Sequence, residues 1–280
     1  FKQKTAYEIY QCDWSSDVCS SDLLAVSGLF SDLVLVDMNR DKAIGEASDI
    51  NHGVAFSKPC RVMAGDYADL AECGLIIIAA GANQKPGESR LELLGRNKGI
   101  LSSIIAQLTA VNREAILLVV SNPVDVLTCL AQQLSGFPAG RVLGSGTVLD
   151  TARLKYLLGQ RLGVDSRNVH AFIIGEHGDS ELAVWSSANI SGADLDDYCR
   201  IAGITKPADE LSRIYEHVRD AAYQIIDSKG ATYYGIGMAV RRIAEAIVRN
   251  EHSVLPVTSD RKSTRLNSSH TDISRMPSSA

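Results

Sequence analysis

Long apolar runs are missing from this 280-residue chain. Residues 75–80 form one of the longest and are followed by a glycine, whereas a membrane-spanning helix needs about 20 apolar residues. No membrane partner is therefore expected. Basic tracts are missing from the central region, the net charge is −5, and only 6% of residues are aromatic. Neither a phosphate-binding face nor a base-stacking surface is expected, so nucleic acid is excluded as a partner. None of the six cysteines belongs to a CxxC pair, and no metal is expected. A chain this long buries its core without covalent staples, so reduced cysteines and a cytoplasmic location are the expectation. What is present is ordinary for a globular protein: 45% hydrophobic and 22% charged residues, which excludes disordered, collagen-like and disulfide-dense classes. The length allows one large domain or two ordinary ones.

Both ends read differently from the middle. Residues 1–22 and 260–280 are rich in serine and charge and lack clear periodicity. Residues 13–22 (DWSSDVCSSD) can be written GAC TGG AGT TCA GAC GTG TGC TCT TCC GAT. The reverse complement of that DNA, shifted by one base, translates as DRKSTRLNSS, the sequence of residues 260–269. Residues 2–9 (KQKTAYEI) can be encoded so that the opposite strand gives SRMPSSA, residues 274–280. The two tails thus read as opposite strands of one oligonucleotide and resemble a DNA-sequencing adapter, with residues 10–12 and 271–273 over its variable index. The expectation is that residues 1–22 and 260–280 are artefactual and unpacked, and that the genuine segment, about 23–259, is a gene fragment cut at both ends. Cys12 and Cys19 go with the tails.

Within that segment, residues 33–37 (LVLVD) form a short apolar run ending in an acid, and 41–51 read as a helix. Residues 60–63, 75–80 and 115–121 are further strand candidates, and 91–111 and 123–134 are helical, Pro123 suiting a first helical position. Short apolar runs alternating with helices argue for a parallel sheet covered on both faces. After about residue 149 the texture changes. A helix over 150–162, strands over 169–174 and 183–186, helices over 207–227 and 234–249 and a strand over 253–257 read as α+β. Two domains are expected, 23–147 and 148–259.

Five constellations carry chemistry. Asp37 ends an apolar strand, where an acid about 20 residues after a glycine-rich turn bonds adenosine ribose hydroxyls; an arbitrary strand end is the plain alternative. Counting back 20 residues lands in the first tail, so that turn is expected to be missing. Residues 81–90 (GANQKPGESR) follow a strand end, where ligands bind in open α/β sheets, and two glycines and a proline suit a closing lid. Arg90 either reaches a substrate carbonyl or carboxylate or is a solvated surface arginine. Asn122, in SNPVD, either bonds a ligand or caps a helix. Asp150 and Arg153 project from nearly one helix face, either as an intrahelical ion pair or as a histidine-orienting acid and a fork for a carboxylate. His177, in GEHGD, sits in a glycine-flanked turn at a strand end, placed for acid–base work near neutral pH.

Six stretches in this order, VLVD, GANQKPGESR, VVSNPVDV, GSGTVLDTAR, IIGEHGDSE and KGATYYGIGMAV, resemble the lactate/malate dehydrogenase family, bacterial and on its lactate side. The likeness runs over residues 24–259. It implies a Rossmann-type doubly wound parallel sheet followed by an α+β substrate domain, here lacking the first strand, the glycine-rich loop, most of the first helix and the C-terminal elements. It implies NAD as cofactor and pyruvate and (S)-lactate as substrates. His177 would exchange a proton with the substrate C2 oxygen, Asp150 would orient it, Arg153 would clamp the carboxylate, and Arg90 would polarise the ketone. Gln84, Asn122, Asp125 and Thr232 would line the substrate. Asp37, Lys42, Tyr67, Gly81, Ala82, Ser103, Val120, Ser121 and Ser145 would hold NAD. Neutral Gln84 stands where malate enzymes place an arginine, which favours pyruvate; malate or another 2-hydroxy acid is the alternative. Such enzymes are often tetramers activated by fructose 1,6-bisphosphate, here at Lys155 and His170, with lysine where responsive members usually carry arginine. A reading of another class is that the chain is a catalytically inactive piece.

Overall fold

The computed structural model describes residues 5–10, 16–82, 90–205, 209–259 and 274–275. Its first half is a six-stranded parallel sheet in the order β3-β2-β1-β4-β5-β6. The strands are β1 (Thr5–Tyr10), β2 (Asp32–Asp37), β3 (Arg61–Ala64), β4 (Leu75–Ile78), β5 (Ile116–Val119) and β6 (Val142–Gly144). Helices α1 (Ser16–Ser27), α2 (Arg40–Val54), α3 (Arg90–Val111) and α4 (Val124–Ser135) connect them.

Strand residues alternate between two buried clusters. Leu33, Leu35, Leu75 and Ile77 face Leu24, Ala43 and Ala47 of α1 and α2. Val34, Val36, Ile76 and Ile78 face Leu101, Ile104 and Ile105 of α3 and Leu127 of α4. Coverage of both faces is why β2 and β4 read as unbroken apolar runs. Strand order reverses between β1 and β4, and this reversal opens a crevice at the carboxyl ends of the strands.

Residues 1–4, 11–15, 260–273 and 276–280 of the two tails lie outside the described residues; the expectation of a sheet without a strand beside β2 and β4 is corrected by the described segment Thr5–Tyr10. Thr5–Tyr10 runs along Asp32–Asp37 on one side, and residues 6–9 run along Leu75–Ile78 on the other. Without a strand there, β2 and β4 would each bury a row of unpaired main-chain groups. Main-chain pairing is indifferent to most side chains, so a six-residue segment with Thr, Tyr and Ile can fill the slot. Ser20 and Ser21 of α1 are buried, and Ser274–Arg275 (β13) pairs antiparallel with Val254–Leu255 (β12).

The second half comprises α5 (Val148–Leu162), β7 (Val169–His170), β8 (Ile173–Ile174), β9 (Leu182–Ala183), β10 (Asn189–Ile190), β11 (Ala193–Asp194), α6 (Leu195–Ile201), α7 (Glu210–Lys229) and α8 (Tyr234–Val248). The single strand expected over 169–174 is two. β7 joins β10 and β11, whereas β8 pairs with β9. The strand expected over 183–186 ends at Ala183, where Trp185–Ser187 form a 3-10 turn.

Helix α8 returns to the sheet: Val240, Ile243, Ala244 and Ile247 share a cluster with Leu24 and Leu33. Thr258 then bridges the edge of β6, donating to and accepting from Gly144 at 3.1 and 2.8 Å. Gly146 follows with φ +51°, and a Cβ there would lie 2.6 Å from the Pro256 carbonyl oxygen. Only glycine permits that approach. Among the described residues no helix is long and apolar enough to cross a membrane.

Candidate active site

Three elements converge on His177. It sits in the turn between β8 and β9, which begins at Gly175. Gly175 has φ +98°, and a Cβ there would stand 3.3 Å from the Ser180 carbonyl oxygen, so a side chain would strain the turn. The base of the turn is tied to α5: Thr147 Oγ1 donates to the Ile173 carbonyl at 2.6 Å, and Thr151 Oγ1 accepts from the Ile173 N–H at 2.9 Å. Asp150, in the first turn of α5, is 2% exposed. Its Oδ2 lies 2.6 Å from His177 Nδ1, and its Oδ1 accepts from Arg153 Nη1 at 2.7 Å. The ion-pair and histidine-orienting alternatives for Asp150 thus hold together, one on each oxygen.

Asp125 lies in the first turn of α4 and is buried. Its Oδ2 accepts the His177 backbone N–H at 2.8 Å, and its Oδ1 accepts from the Thr258 hydroxyl. Both oxygens are committed, so this residue fixes the histidine loop. Asn122 does not cap α4; Pro123 holds the N-cap position, without a side-chain cap bond, and α4 begins at Val124. The Asn122 side chain is exposed at the end of β5. Thr232 is half-buried between α7 and α8, and among the described residues no hydrogen bond joins it to the His177 group. Gln84 lies outside the described residues. Arg90 opens α3, and its side chain also lies outside them.

The electrostatics centre on the imidazole. Burial pulls the His177 pKa down, but the Asp150 carboxylate on Nδ1, with Glu181 and Asp125 behind, outweighs burial and holds it above the ordinary value. Burial works against the Asp150 carboxylate, yet His177 and Arg153 keep its pKa below the usual range. Glu181 was not singled out by the sequence. It is 5% exposed, and burial, then the charge of Asp150, push its carboxyl up to about 7.

At the crevice, Asp37 ends β2. Its Oδ1 accepts from the Asn39 N–H at 2.8 Å, while its Oδ2 is buried without a hydrogen-bond partner among the described residues, with Lys42 Nζ 3.7 Å away. A carboxylate oxygen that is ion-paired to Lys42 but accepts no hydrogen bond among the described residues fits a ribose hydroxyl donor at this strand end. Ser121 is buried and donates to the Ala80 carbonyl at 2.6 Å. Val120 and Ser145 donate main-chain bonds to Ile78 and Val119 at 2.9 Å each. Gly81 and Ala82 meet a second residue the sequence did not flag, Asn97 of α3, 2% exposed. Its Oδ1 accepts from the Ala82 N–H at 2.8 Å, and its Nδ2 donates to the Asn122 carbonyl at 2.8 Å. One amide therefore clamps the two loops at the topological switch.

Tyr67 packs half-buried under β3 and α3. Ser103 is exposed on α3, where Gln107 donates to it at 3.4 Å, and no hydrogen bond ties it to the strand ends among the described residues. Lys155 Nζ lies 5.9 Å above the Phe172 ring, and burial lowers its pKa. His170 is exposed on β7.

Comparison with known proteins decides the family. The model of the lactate/malate dehydrogenase NAD-binding domain matches residues 17–144, and that of the family's alpha/beta C-terminal domain matches residues 147–277. The chain belongs to the lactate/malate dehydrogenase family. Family membership makes the crevice side an NAD-binding domain and the chain an NAD-dependent oxidoreductase by descent. Among its relatives, an L-lactate dehydrogenase of Acetivibrio thermocellus is 54% identical over 236 residues, covering 84% of this chain and 74% of the relative. L-lactate dehydrogenase 1 of Clostridium acetobutylicum is 52% identical over 244 residues, with 86% and 78% covered. A solved lactate dehydrogenase from a Medee basin deep-sea metagenome library superposes with a TM-score of 0.87 at 44% identity, covering 92% of this chain and 82% of that one.

Proposed function

We propose that the protein is an NAD-dependent L-lactate dehydrogenase that interconverts pyruvate and (S)-lactate. The observation that carries this reading is the His177–Asp150–Arg153 group, with His177 Nδ1 and Arg153 Nη1 both held by one buried carboxylate at 2.6 and 2.7 Å. NAD, when bound, supplies the hydride donor or acceptor. With Nδ1 committed to Asp150, Nε2 is the nitrogen left to exchange a proton with the substrate C2 oxygen. Asp150 stabilises the charged imidazole while that proton is held. Arg153 spends one of its five donors on Asp150, so the rest of its planar fork can receive the substrate carboxylate. The family resemblance adds Arg90 at the ketone oxygen and Asn122 and Thr232 along the substrate. Asp37 Oδ2 would take the ribose hydroxyls, with Lys42, Tyr67, Ser103, Ser145 and the loops at Gly81 and Ser121 around the cofactor.

Substrate choice rests on Gln84. A neutral amide offers no partner to a second carboxylate, and burying that group unpaired is costly. Pyruvate is therefore preferred over oxaloacetate. The test is kcat/KM for both acids in the parent and in Gln84→Arg. Pyruvate should lead in the parent, and the variant should shift toward oxaloacetate. An unchanged ratio would remove Gln84 from the substrate pocket.

Self-association into a tetramer in the cytoplasm belongs to the same reading. Exposed Tyr156, Ile226, Tyr234 and Met238 support it as apolar surface to be covered. For fructose 1,6-bisphosphate as an effector at Lys155 and His170, a weak response is expected, because lysine lacks the bidentate fork.

A further inference from the structure

Glu181 has no part in the mechanism so far, yet it stands against the acid–base pair. A carboxylate oxygen of Glu181, a ring nitrogen of His177 and a carboxylate oxygen of Asp150 all lie within 4.8 Å of one another. Glu181 Oε1 is buried without a hydrogen-bond partner among the described residues. Its backbone is fixed on both sides: its N–H donates to Gly178 at 3.2 Å, and its carbonyl accepts from the Tyr215 hydroxyl of α7.

The charged groups around it can be counted by element. Helix α5 brings Asp150 and Arg153, α4 brings Asp125, and the shared turn brings His177. From α7, the Tyr215 hydroxyl reaches the Glu181 carbonyl, and Arg219 faces Tyr215. Asp179, on the same turn, accepts from Tyr223 of α7 at 3.4 Å. Arg153 offsets one negative charge, that of Asp150. With His177 neutral, an ionised Glu181 adds a further negative charge beside Asp150, with Arg153 as a shared cation, and buries an oxygen that has no hydrogen-bond partner among the described residues; both favour the protonated carboxyl. With His177 charged, the ionised form of Glu181 gains a partner.

We propose that Glu181 is a positioning residue for proton transfer: its carboxyl and the His177 imidazole form a coupled pair, in which the charge on Glu181 sets how firmly His177 holds its proton. The inference rests on the reading of His177 as the proton carrier. When His177 gives its proton to a substrate oxygen, Glu181 is held neutral and adds no uncompensated charge beside Asp150. Burial raises the carboxyl to about 7, within the range where the imidazole works, so the two groups titrate together.

The test is an NMR titration of the His177 ring Cε1–H in the protein without cofactor, with the signal assigned by its loss in His177→Asn. The parent should give a flattened, two-step curve. Glu181→Gln should give a single step displaced to lower pH by about 0.5–1 unit, because a neighbouring negative charge is gone. Glu181→Asp, which keeps the charge, should retain the two-step shape. The alkaline limb of kcat/KM for pyruvate should move to lower pH with Glu181→Gln, whereas a residue of purely structural weight would lower the plateau and leave the limb in place. A single-step curve in the parent overturns the coupling, even if Glu181→Gln fails to fold. A Glu181→Gln curve coincident with the parent also overturns it. Absence of pyruvate reduction at saturating NADH, with the two-step curve intact, would instead count against the proposed function.

Discussion

His177 Nδ1 and Asp150 Oδ2 lie 2.6 Å apart, and the carboxylate that makes this contact is 2% exposed. A buried carboxylate bonded to the imidazole fixes which nitrogen faces the substrate and raises the pH at which the ring loses its proton. In Asp150→Asn the charge is removed and Arg153 loses its partner. Pyruvate reduction needs the protonated imidazole, so kcat/KM should fall about 10²–10⁴-fold and its alkaline limb should move to lower pH. Steady-state rates across pH check both. The stability consequence has the opposite pH sense. The Asp150 carboxyl is held below its usual value near 3.8, so its contribution is present above that value and is lost as pH falls through the lowered one. Thermal unfolding of the parent and variant should therefore converge in acid.

Asn97 gives the second prediction. Replacing it with leucine leaves the Ala82 N–H and the Asn122 carbonyl without the 2.8 Å bonds they now make. Burying these groups unpaired should cost about 1–3 kcal/mol, read by denaturant unfolding. Because both loops border the crevice, NADH affinity should fall more than pyruvate affinity does. Unchanged stability and affinity would show that water replaces the amide.

The sheet was legible because β2, β4 and β5 are covered on both faces, so Leu33–Val36 of β2 and the whole of β4 and β5 are apolar. The His177 turn was legible because glycine, acid and histidine coincide at a strand end. The strand at Thr5–Tyr10 was not, since its residues read as a tail, and pairing by main-chain groups leaves little side-chain pattern. The α6 helix and the β10–β11 hairpin are too short to establish a period. Asn97 stayed hidden because its partners are main-chain atoms on two distant loops, and Glu181 because its burial depends on α5 and α7, which no local pattern reports. The resemblance puts Asp125 at the substrate, and the fold adds that its oxygens accept from the His177 N–H and the Thr258 hydroxyl, distant partners that no local pattern reports.

The connection between β1 and α1 gives the third prediction. Residues 11–15 read QCDWS, outside the described residues and without a glycine. A glycine-rich turn lets a pyrophosphate approach the backbone and the helix N-terminus, and Asp13 adds a negative charge. NADH should therefore bind weakly, and at low NADH the chain should be nearly inactive, as the inactive-piece reading expects. Replacing this stretch with a GxGxxG turn should tighten NADH binding about tenfold or more, about 1.4 kcal/mol, by fluorescence titration. Equal affinities would show that the crevice holds NADH without that turn.

The most direct test of the account is the pH dependence of the two directions of the reaction at saturating cofactor, in the parent and in His177→Asn. With the imidazole held above its ordinary value, kcat/KM for pyruvate should stay high through neutral pH and fall at alkaline pH. For lactate, kcat/KM should rise over the same range, because the neutral ring must accept the proton. Both limbs should vanish in His177→Asn, with rates lower by about 10²-fold or more. Parallel profiles in the two directions, or a His177→Asn variant that keeps the parent's pyruvate rate and pH dependence, would contradict the assignment of the proton to His177.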